Sequence, residues 1–366
     1  MNSLNKYLPK MIIFIGYLFL GMLFFYAPKI YELITYEGRN INVYTYADFI
    51  SPETIQTFEQ KTGIKVRVKY FDNDNELLAK FRVDQGRGYD LITATGFVIN
   101  SLIKENLLKE LDISKVSNYK YLDPKLLQKN LDPENNYSIP YFWTVDGIVF
   151  NKDVVTTPID QIRWDLIFKD PSSQLLKNAS NKIIMLDTPI EAFQLAAIYL
   201  FGKITDLTEL QISQIKQLLI NQKRWVDVYM AANLQYYLLS GVSNIAVTYT
   251  AFAKKMLDTS DQYKFVIPKE GSIITIDSFA IPKHSNKTEL TYEFIDFLLS
   301  KEIFIINSKE YGYIPSNLQA YEQVREIFHN DKNLFPDAEM FEKLHQQHKI
   351  INPKIIDNLW LEVRLA

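Results

Sequence analysis

The chain has 366 residues, of which 47% are hydrophobic and 14% aromatic, enough to bury two cores of ordinary domain size. A net charge of −3 and a pI near 5.9 argue against a nucleic-acid partner, which a basic surface would accompany. The absence of cysteine excludes disulfides, thiolate metal sites and a cysteine lipid anchor. These properties predict two domains with a cleft between them.

The first 36 residues contain a hydrophobic segment that resembles a signal sequence. Lys6 and Lys10 precede the uncharged run 11–27, whose length lies between a signal-peptide core and a full membrane span. The basic flank places the start of the chain in the cytoplasm and the rest outside. Phe25 stands where cleavage after the run would need a small residue, which favours an uncleaved anchor over a cleaved signal. We expect residues 1–36 to form a signal sequence or membrane anchor that contains an N-terminal hydrophobic helix, with membrane contact through residues 11–27. A buried helix of a soluble domain is the other alternative.

After this segment, short strand patterns alternate with helix patterns, which is typical of α/β layers around parallel sheets. Residues 42–46 have a strand pattern. Ser51 and Pro52 supply the N-cap and first-turn proline of a helix, and Gly63 follows its predicted end. Residues 64–68 alternate apolar and basic side chains, as in a strand with one solvated face. The simplest interpretation is a βαβ unit.

Candidate ligand-binding residues follow the end of another predicted strand. Residues 72–75 form a polar segment before a predicted helix, and residues 89–94 have the pattern of a buried strand. Thr95 and Phe97 come just past that strand, where open α/β sheets place their ligands. Phe97 equally suits a core contact of the following helix, so both interpretations stay open.

Residues 138–153 are unusually apolar and aromatic for a connection, which is typical of a crossing between two lobes. A strand is predicted at 182–186, followed by a helix that begins near Asp187. Thr188 and Glu191 in its first turn have the spacing of a capping box, which gives Glu191 a structural alternative to a ligand role. Further helices are predicted at 207–222, 226–239 and 288–299, a strand at 244–249, and a helical tail with segments 321–329, 337–348 and 353–365.

The strongest site signal lies in the stretch 266–282, which is predicted to form two short apolar strands joined at Lys269-Glu270-Gly271. Asp277 is the only ionisable residue of the second strand, 273–281. Burying a lone carboxylate costs several kcal/mol, so the group needs a cation or several donors. No basic residue lies between the turn and Lys283. We therefore hypothesise that the missing partner is a ligand amine.

Signals for catalysis, cofactors or metals are weak. The chain has neither a phosphate loop nor a G-x-S-x-G elbow. His345 and His348 have the spacing of a shared helix face, but a solvated polar face explains them better than a metal site. Tyr236 and Tyr237 match the tyrosine pair of ferric-ion binding proteins only in being adjacent, which is common on helices. We expect no cofactor, no metal and no enzymatic activity.

Several motifs, taken together, resemble those of the bacterial spermidine/putrescine-binding proteins. They are Asn42-Val43-Tyr44 before Ser51-Pro52, Thr62-Gly63-Ile64-Lys65-Val66, Tyr89-Asp90-Leu91, Tyr137-Ser138-Ile139-Pro140-Tyr141-Phe142-Trp143, Pro268-Lys269-Glu270-Gly271 with Asp277-Ser278-Phe279-Ala280-Ile281-Pro282, and Pro336-Asp337-Ala338-Glu339. Their order and spacing hold from about residue 40 to residue 347. The resemblance implies a binding protein of an ABC-type polyamine importer.

The resemblance also implies the architecture, a two-lobed periplasmic-binding-protein fold in which each lobe is an α/β sheet flanked by helices. The N-terminal lobe would comprise residues 38–143 plus 277–321, and the C-terminal lobe residues 144–276 plus 322–366. The chain would cross between lobes near Trp143, Asp277 and Tyr321.

In that family, aromatic rings sandwich the methylene chain of the amine and acids receive its ammonium ends. The resemblance implies that Asp277 and Glu191 are such acids, that Tyr313 is the binding tyrosine and that Gln347 is a binding glutamine. Other matching positions differ from the family: Tyr46 and Thr275 replace tryptophans, Phe49 and Phe97 replace tyrosines, Thr95 replaces a serine, Thr188 replaces a carboxylate with Asp187 just before it, and Tyr249 is nearest to a further tryptophan. These differences leave the exact cation open.

We expect an extracytoplasmic protein that binds putrescine or spermidine and delivers it to ABC permease subunits. An ammonium over an aromatic face gains about 0.5–2 kcal/mol, and paired carboxylates add more, so micromolar binding near about −8 kcal/mol is expected. The protein would lie in the periplasm, or on the outer face of the cytoplasmic membrane if the N-terminal segment is retained. The alternatives are a binding protein for another organic cation or amine, a cleft hydrolase using Asp187 and Glu191 as acid and base, and a sensor module.

Overall fold

The structure is a computed structural model that describes residues 16–17, 21–22, 26, 39–129, 131–176, 180, 182–230, 234–346 and 353–366. Most of the expected N-terminal helix, with its membrane contact through residues 11–27, lies outside these residues, as do Gln347 and His348. Within the described part, no helix has the length and apolar character needed to cross a membrane.

The described chain alternates strands and helices as the sequence predicts. The strands are β1 (Asn40–Tyr46), β2 (Lys65–Phe71), β3 (Leu91–Thr95), β4 (Ile139–Asn151), β5 (Ile183–Met185), β6 (Val226–Tyr229), β7 (Ile245–Tyr249), β8 (Tyr263–Val266), β9 (Ser272–Ala280), β10 (Ile314–Pro315) and β11 (Leu344–Gln346). The α-helices are α1 (Pro52–Thr62), α2 (Asp74–Asp84), α3 (Gly96–Lys104), α4 (Pro124–Lys129), α5 (Asp165–Phe168), α6 (Pro189–Phe201), α7 (Glu209–Gln222), α8 (Leu234–Leu239), α9 (Thr250–Thr259), α10 (Thr288–Leu298), α11 (Lys301–Tyr311), α12 (Leu318–Ile327), α13 (Ala338–Glu342) and α14 (Pro353–Leu365).

The strands form two parallel-sheet regions joined by antiparallel strands, in the order β2-β1-β3-β9-β4-β7-β5-β6. β1 is parallel to β2 and β3, and β5 is parallel to β6 and β7. β9 is antiparallel to both β3 and β4, and β4 is antiparallel to β7. The first part of the 13-residue β4 pairs with β9 and its second part with β7, so this strand belongs to both sheets.

The hydrophobic cores follow the same division. Two clusters draw on residues between 41 and 142 and between 279 and 320, whereas a third is built mainly from residues 148–266. A fourth, around Trp143, contains side chains from both regions. The expected crossings at Trp143, Asp277 and Tyr321 are compatible with these cores, and the exact lobe boundaries stay predictions.

The first predicted helix, α1, has the N-cap, first-turn proline and C-terminal glycine that the sequence predicts. The Ser51 hydroxyl accepts a hydrogen bond from the Thr54 amide at 3.1 Å, and Pro52 occupies the first turn. Gly63 ends the helix with a φ of 70°, a left-handed conformation that glycine adopts without a Cβ penalty. The chain then enters β2 in parallel register with β1, so the predicted βαβ unit is confirmed.

Two predicted helices are wrong in part because strand pairing competes with helix formation. In the predicted helix 226–239, residues 226–229 form β6 beside β5, and among the described residues of this segment the helix is α8. In the predicted segment 337–348, the helix ends at Glu342 and residues 344–346 form β11, parallel to β9. His345 therefore lies on a strand. Tertiary pairing decides both cases, since short segments have little helix stability of their own.

The predicted turn at Lys269-Glu270-Gly271 is held by contacts on both sides, although the strand before it, β8, ends at Val266, where it was expected to begin. The Trp164 indole donates to the Gly271 carbonyl at 2.8 Å. Gly271 has a φ of 100°, and a Cβ there would lie 2.3 Å from the Lys343 carbonyl oxygen. This turn fixes the start of β9 and so the register of Asp277.

Replacing Gly271 by alanine should lower the free energy of unfolding by about 2–5 kcal/mol, because backbone strain and steric overlap add. Gly241 is the matched control: its φ is 72°, but a Cβ there would meet nothing within 4 Å. Gly241→Ala should cost only about 1–2 kcal/mol. Urea unfolding of both variants measures the difference, and equal costs would contradict the close approach at Gly271.

Candidate functional site

Asp277 lies in the middle of the joined sheets. It sits on β9, opposite Thr95 of β3 on one side and Phe142 of β4 on the other, and only 6% of it is exposed. In the described part of the chain, no residue gives its carboxylate an ion pair or a hydrogen bond. Burial, with a contribution from the nearby Asp74, raises the pKa of Asp277 to about 8. The predicted lone acid is therefore buried without a countercharge from the described chain.

Three half-buried tyrosines surround this carboxylate. They are Tyr46 at the end of β1, Tyr249 at the end of β7 and Tyr313 just before β10. Burial is the main cause that raises the pKa of each, to about 12 for Tyr249, and the charge of Asp277 adds to the rise at all three. The structure thus brings Tyr46, Tyr249 and Tyr313 together around Asp277.

The two predicted phenylalanines lie elsewhere. Phe49 is 0% exposed, with its ring centroid 5.1 Å from that of Tyr313 and 5.7 Å from that of Tyr46, so it supports those rings from the core. Phe97 is half-buried and lines a cavity of about 170 Å³ together with Arg82 and Glu105. Phe97 packs against the buried core that contains Leu77 and Phe81, which agrees with the interpretation of Phe97 as a core contact.

A second group of acids lies on the other side of Tyr249. Asp146 is on β4 directly opposite Tyr249 of β7, and Glu191 is in the first turn of α6. Only 6% of Asp146 is exposed, and its Oδ2 atom has no hydrogen-bond partner in the described part of the chain. Burial, and then the charge of Glu191, raise the pKa of Asp146 well above its usual value. The same two acids also add to the pKa of Tyr249.

The capping-box interpretation of Glu191 is wrong. Thr188 has the backbone conformation of an N-cap, but its side chain accepts no capping hydrogen bond. A capping box requires that bond as well as the return bond from the third residue of the helix. Thr208 and Gln211 form a complete capping box at the next helix, α7. Glu191 therefore has no role in such a box, and Thr188 stays a predicted ligand contact.

Of the remaining predicted site residues, the structure places one near Asp277 and another away from it. Thr275 is half-buried and lies two residues before Asp277 on β9, so both side chains share one face of the sheet. Asp187 is exposed instead, and the Arg364 guanidinium donates to its Oδ1 at 2.8 Å. Gln347 lies outside the described residues. Thr275 therefore lies on the same sheet face as Asp277, whereas Asp187 forms an ion pair with Arg364 of the C-terminal helix α14.

Comparison with known proteins identifies the family. Residues 53–336 match the bacterial extracellular solute-binding proteins. The chain belongs to this family. A spermidine/putrescine-binding periplasmic protein of Salmonella typhimurium is 27% identical to this solute-binding protein over 86% of this chain and 88% of its own, and a putrescine-binding periplasmic protein of Pseudomonas aeruginosa is 29% identical over 84% and 87%. The expected resemblance is confirmed.

A solved structure confirms the fold of this solute-binding protein. The spermidine/putrescine ABC transporter substrate-binding protein of Streptococcus pneumoniae superimposes with a TM-score of 0.79 at 28% identity, covering 89% of this chain and 99% of that one. The expected two-lobed α/β periplasmic-binding fold is correct. The described residues contain no group of three or more histidine, aspartate or glutamate side chains that could hold a metal ion.

Sequence reasoning missed two carboxylates of this solute-binding protein, Asp74 and Asp146. The Asp146 signal was available in the sequence, because Asp146, like Asp277, is a lone acid in an apolar segment. Asp74 gave no such signal: it lies in a polar stretch and looks like an ordinary first-turn acid of α2. Only the structure places its carboxylate against Tyr46 and Thr95, at 2.5 and 2.7 Å.

The unliganded protein should lose stability as pH rises, and Asp277 should contribute. Its pKa is about 8 in the folded state and near 3.8 when unfolded, so between these values the folded state holds the extra proton. Stability from this group is therefore present at pH 4 and is lost towards pH 8. Asp277→Asn should raise the free energy of unfolding at pH 8 by up to about 5 kcal/mol and change it little at pH 4. Urea unfolding at both pH values checks this, and an equal effect at both would contradict it.

Proposed function

We propose that this solute-binding protein captures a polyamine, putrescine or spermidine, between its lobes and delivers it to the permease subunits of an ABC importer. The observation that carries the proposal is Asp277, a buried carboxylate among three tyrosines with no cation from the described chain. Relatives of similar length are named for binding spermidine, putrescine, agmatine or cadaverine. These ligands are all flexible chains that carry cationic groups. A cationic group is what would neutralise Asp277, which receives no cation from the described chain.

The proposed contacts follow from where the side chains lie. Asp277 receives one cationic end, and Glu191 receives the other from the C-terminal lobe. The faces and hydroxyls of Tyr46, Tyr249 and Tyr313 contact the methylene chain and its nitrogen atoms, since a cation over an aromatic face is attracted by its quadrupole. Thr95 and Thr275 flank Asp277 and line the same face of the sheet.

Binding and lobe closure are coupled in this proposal. A ligand that touches Asp277 and Glu191 at once bridges the two lobes, so it binds the closed form more tightly than the open form and shifts the population towards it. Closure excludes water, which strengthens each ion pair. The permease would recognise that closed form. We place the protein in the periplasm, or on the outer face of the cytoplasmic membrane if residues 11–27 are retained as an anchor.

The proposal treats the protein as a binding protein without enzymatic activity. The hydrolase alternative needs Asp187 and Glu191 as acid and base, but Asp187 is exposed and engaged by Arg364. The family is one of solute-binding proteins. No observation favours the sensor alternative over import.

Titration calorimetry with putrescine, spermidine, choline and ferric citrate tests the ligand class. The purified protein should bind a polyamine with micromolar or tighter affinity and should bind choline and ferric citrate more weakly. Asp277→Asn should weaken polyamine binding by at least about tenfold, because one charge-assisted contact is lost. Glu289→Gln, an exposed acid of α10, serves as the control. Polyamine affinity equal in Asp277→Asn and the control would remove Asp277 from the site.

Glu191→Gln separates a ligand contact from a helix-stabilising role. Because glutamine keeps the size of the side chain and one acceptor oxygen, the substitution should leave the melting temperature of the unliganded protein within about 2 °C and weaken polyamine binding by about tenfold. Glu209→Gln, the exposed first-turn acid of α7, is the matched control and should change neither quantity much. A drop in melting temperature with unchanged affinity would assign Glu191 a structural role.

A further inference from the structure

We propose that Asp146 and Asp74 are ligand-binding acids, so that the cleft presents two carboxylates at each end: Asp74 with Asp277, and Asp146 with Glu191. This inference rests on the proposed function and deepens it, because it specifies how each cationic end is held. It also defines the ligand class as a molecule with two cationic ends separated by an apolar chain.

The environment of Asp146 is that of a buried acid whose carboxylate could bind a ligand cation. It is buried on β4, and its Oδ2 atom is enclosed without a hydrogen-bond partner among the described residues. Its backbone is held in place, because the Ser272 hydroxyl donates to the Asp146 carbonyl at 2.6 Å. The neighbouring residue Gly147 lets β8 approach, since a Cβ there would lie 2.5 Å from the Val266 carbonyl oxygen. Burying a carboxylate oxygen without a hydrogen bond costs free energy, unless a cation or a hydrogen-bond donor binds to it.

Asp74 is held beside Asp277 by two hydroxyl groups. Tyr46 donates to its Oδ1 at 2.5 Å and Thr95 to its Oδ2 at 2.7 Å. Thr95 is also the residue directly opposite Asp277 in the β3–β9 pair. The two acids therefore flank one threonine, and the charge of Asp74 acts on Asp277. Burial raises the pKa of Asp74, and the two donated hydrogen bonds offset part of that rise.

The strand register sets the distance between the two pairs. Asp277 is opposite Phe142, and Thr275 is opposite Thr144, so Asp146 follows on the same face of β4 two residues further along. Ser272, whose hydroxyl reaches Asp146, starts β9. The side chains of Asp277 and Asp146 are thus about four residues apart along the strands, or roughly 13 Å. Tyr249 stands between them, within the electrostatic reach of both.

Like charges in each pair predict that protons are displaced on binding. Two neighbouring carboxylates cannot both ionise easily in a buried site, and an ammonium group that sits between them removes that cost. Tyr46, Tyr249 and Tyr313 face the first pair, and Tyr249 faces the second. Asp48, which pairs with Lys255 at 3.1 Å, acts on Tyr249 and Tyr313. Each of these tyrosines is neutral at pH 7. Polyamine affinity should therefore rise between pH 6 and pH 8.

The test compares Asp146→Asn and Asp74→Asn with two matched controls. Asp153→Asn is an exposed aspartate just after β4, and Asp72→Asn is an exposed aspartate two residues before Asp74. Calorimetry with putrescine and spermidine at pH 7, in two buffers of different ionisation enthalpy, gives both the affinity and the number of protons released. The site variants should bind about tenfold more weakly and release fewer protons than the wild type, and the controls should match the wild type.

The outcomes separate this inference from the proposed function. If the wild type binds a polyamine and Asp277→Asn weakens it, while Asp146→Asn and Asp74→Asn bind like their controls, the paired-acid inference is wrong and the proposed function stands. If the wild type binds none of the polyamines, the proposed function fails and the inference fails with it. Should Asp146→Asn not fold, Asp146→Thr, which is also neutral, gives the same comparison.

Discussion

A buried carboxyl group without a countercharge is the constraint on which this structure depends. Asp277 lies where the two sheets join, is almost fully buried, and receives no cation from the described chain. Such a group is tolerated if it is protonated or if a ligand neutralises it. In the proposed function, a ligand cation that neutralises Asp277 removes this cost, and the free energy recovered contributes to binding. Stability and affinity are linked through this one carboxylate.

The fold creates this position through two strands that run between the lobes. β9 pairs with β3 and β4 on its two sides, and β4 also pairs with β7, so residues along the shared register of β4 and β9 lie where the two sheet regions meet. Gly271 fixes where β9 begins, and a shift of one residue would turn Asp277 to the opposite face. The precision of the site therefore comes from sheet pairing rather than from loops.

The aromatic residues act in two layers. Tyr46, Tyr249 and Tyr313 remain half-buried beside the acids, while Phe49 and Phe142 pack behind them in the core, with the Phe142 ring stacked on Tyr313 at 5.4 Å. Rings that are supported from behind lose little conformational freedom when a ligand binds. An Asp48–Lys255 ion pair also joins the loop after β1 to α9, which connects the two sides near these tyrosines.

The sequence by itself determined the alternation of strands and helices, the caps of α1, and Asp277 as a lone acid, because each depends on local pattern or on residues close in the chain. Only the tertiary structure decided that residues 226–229 and 344–346 are strands, that Asp187 is engaged by Arg364, that Phe49 is core, and that Asp74 and Asp146 stand beside the other acids. Those facts depend on pairing and packing between residues that lie from about 20 to more than 200 positions apart, and no local pattern encodes them.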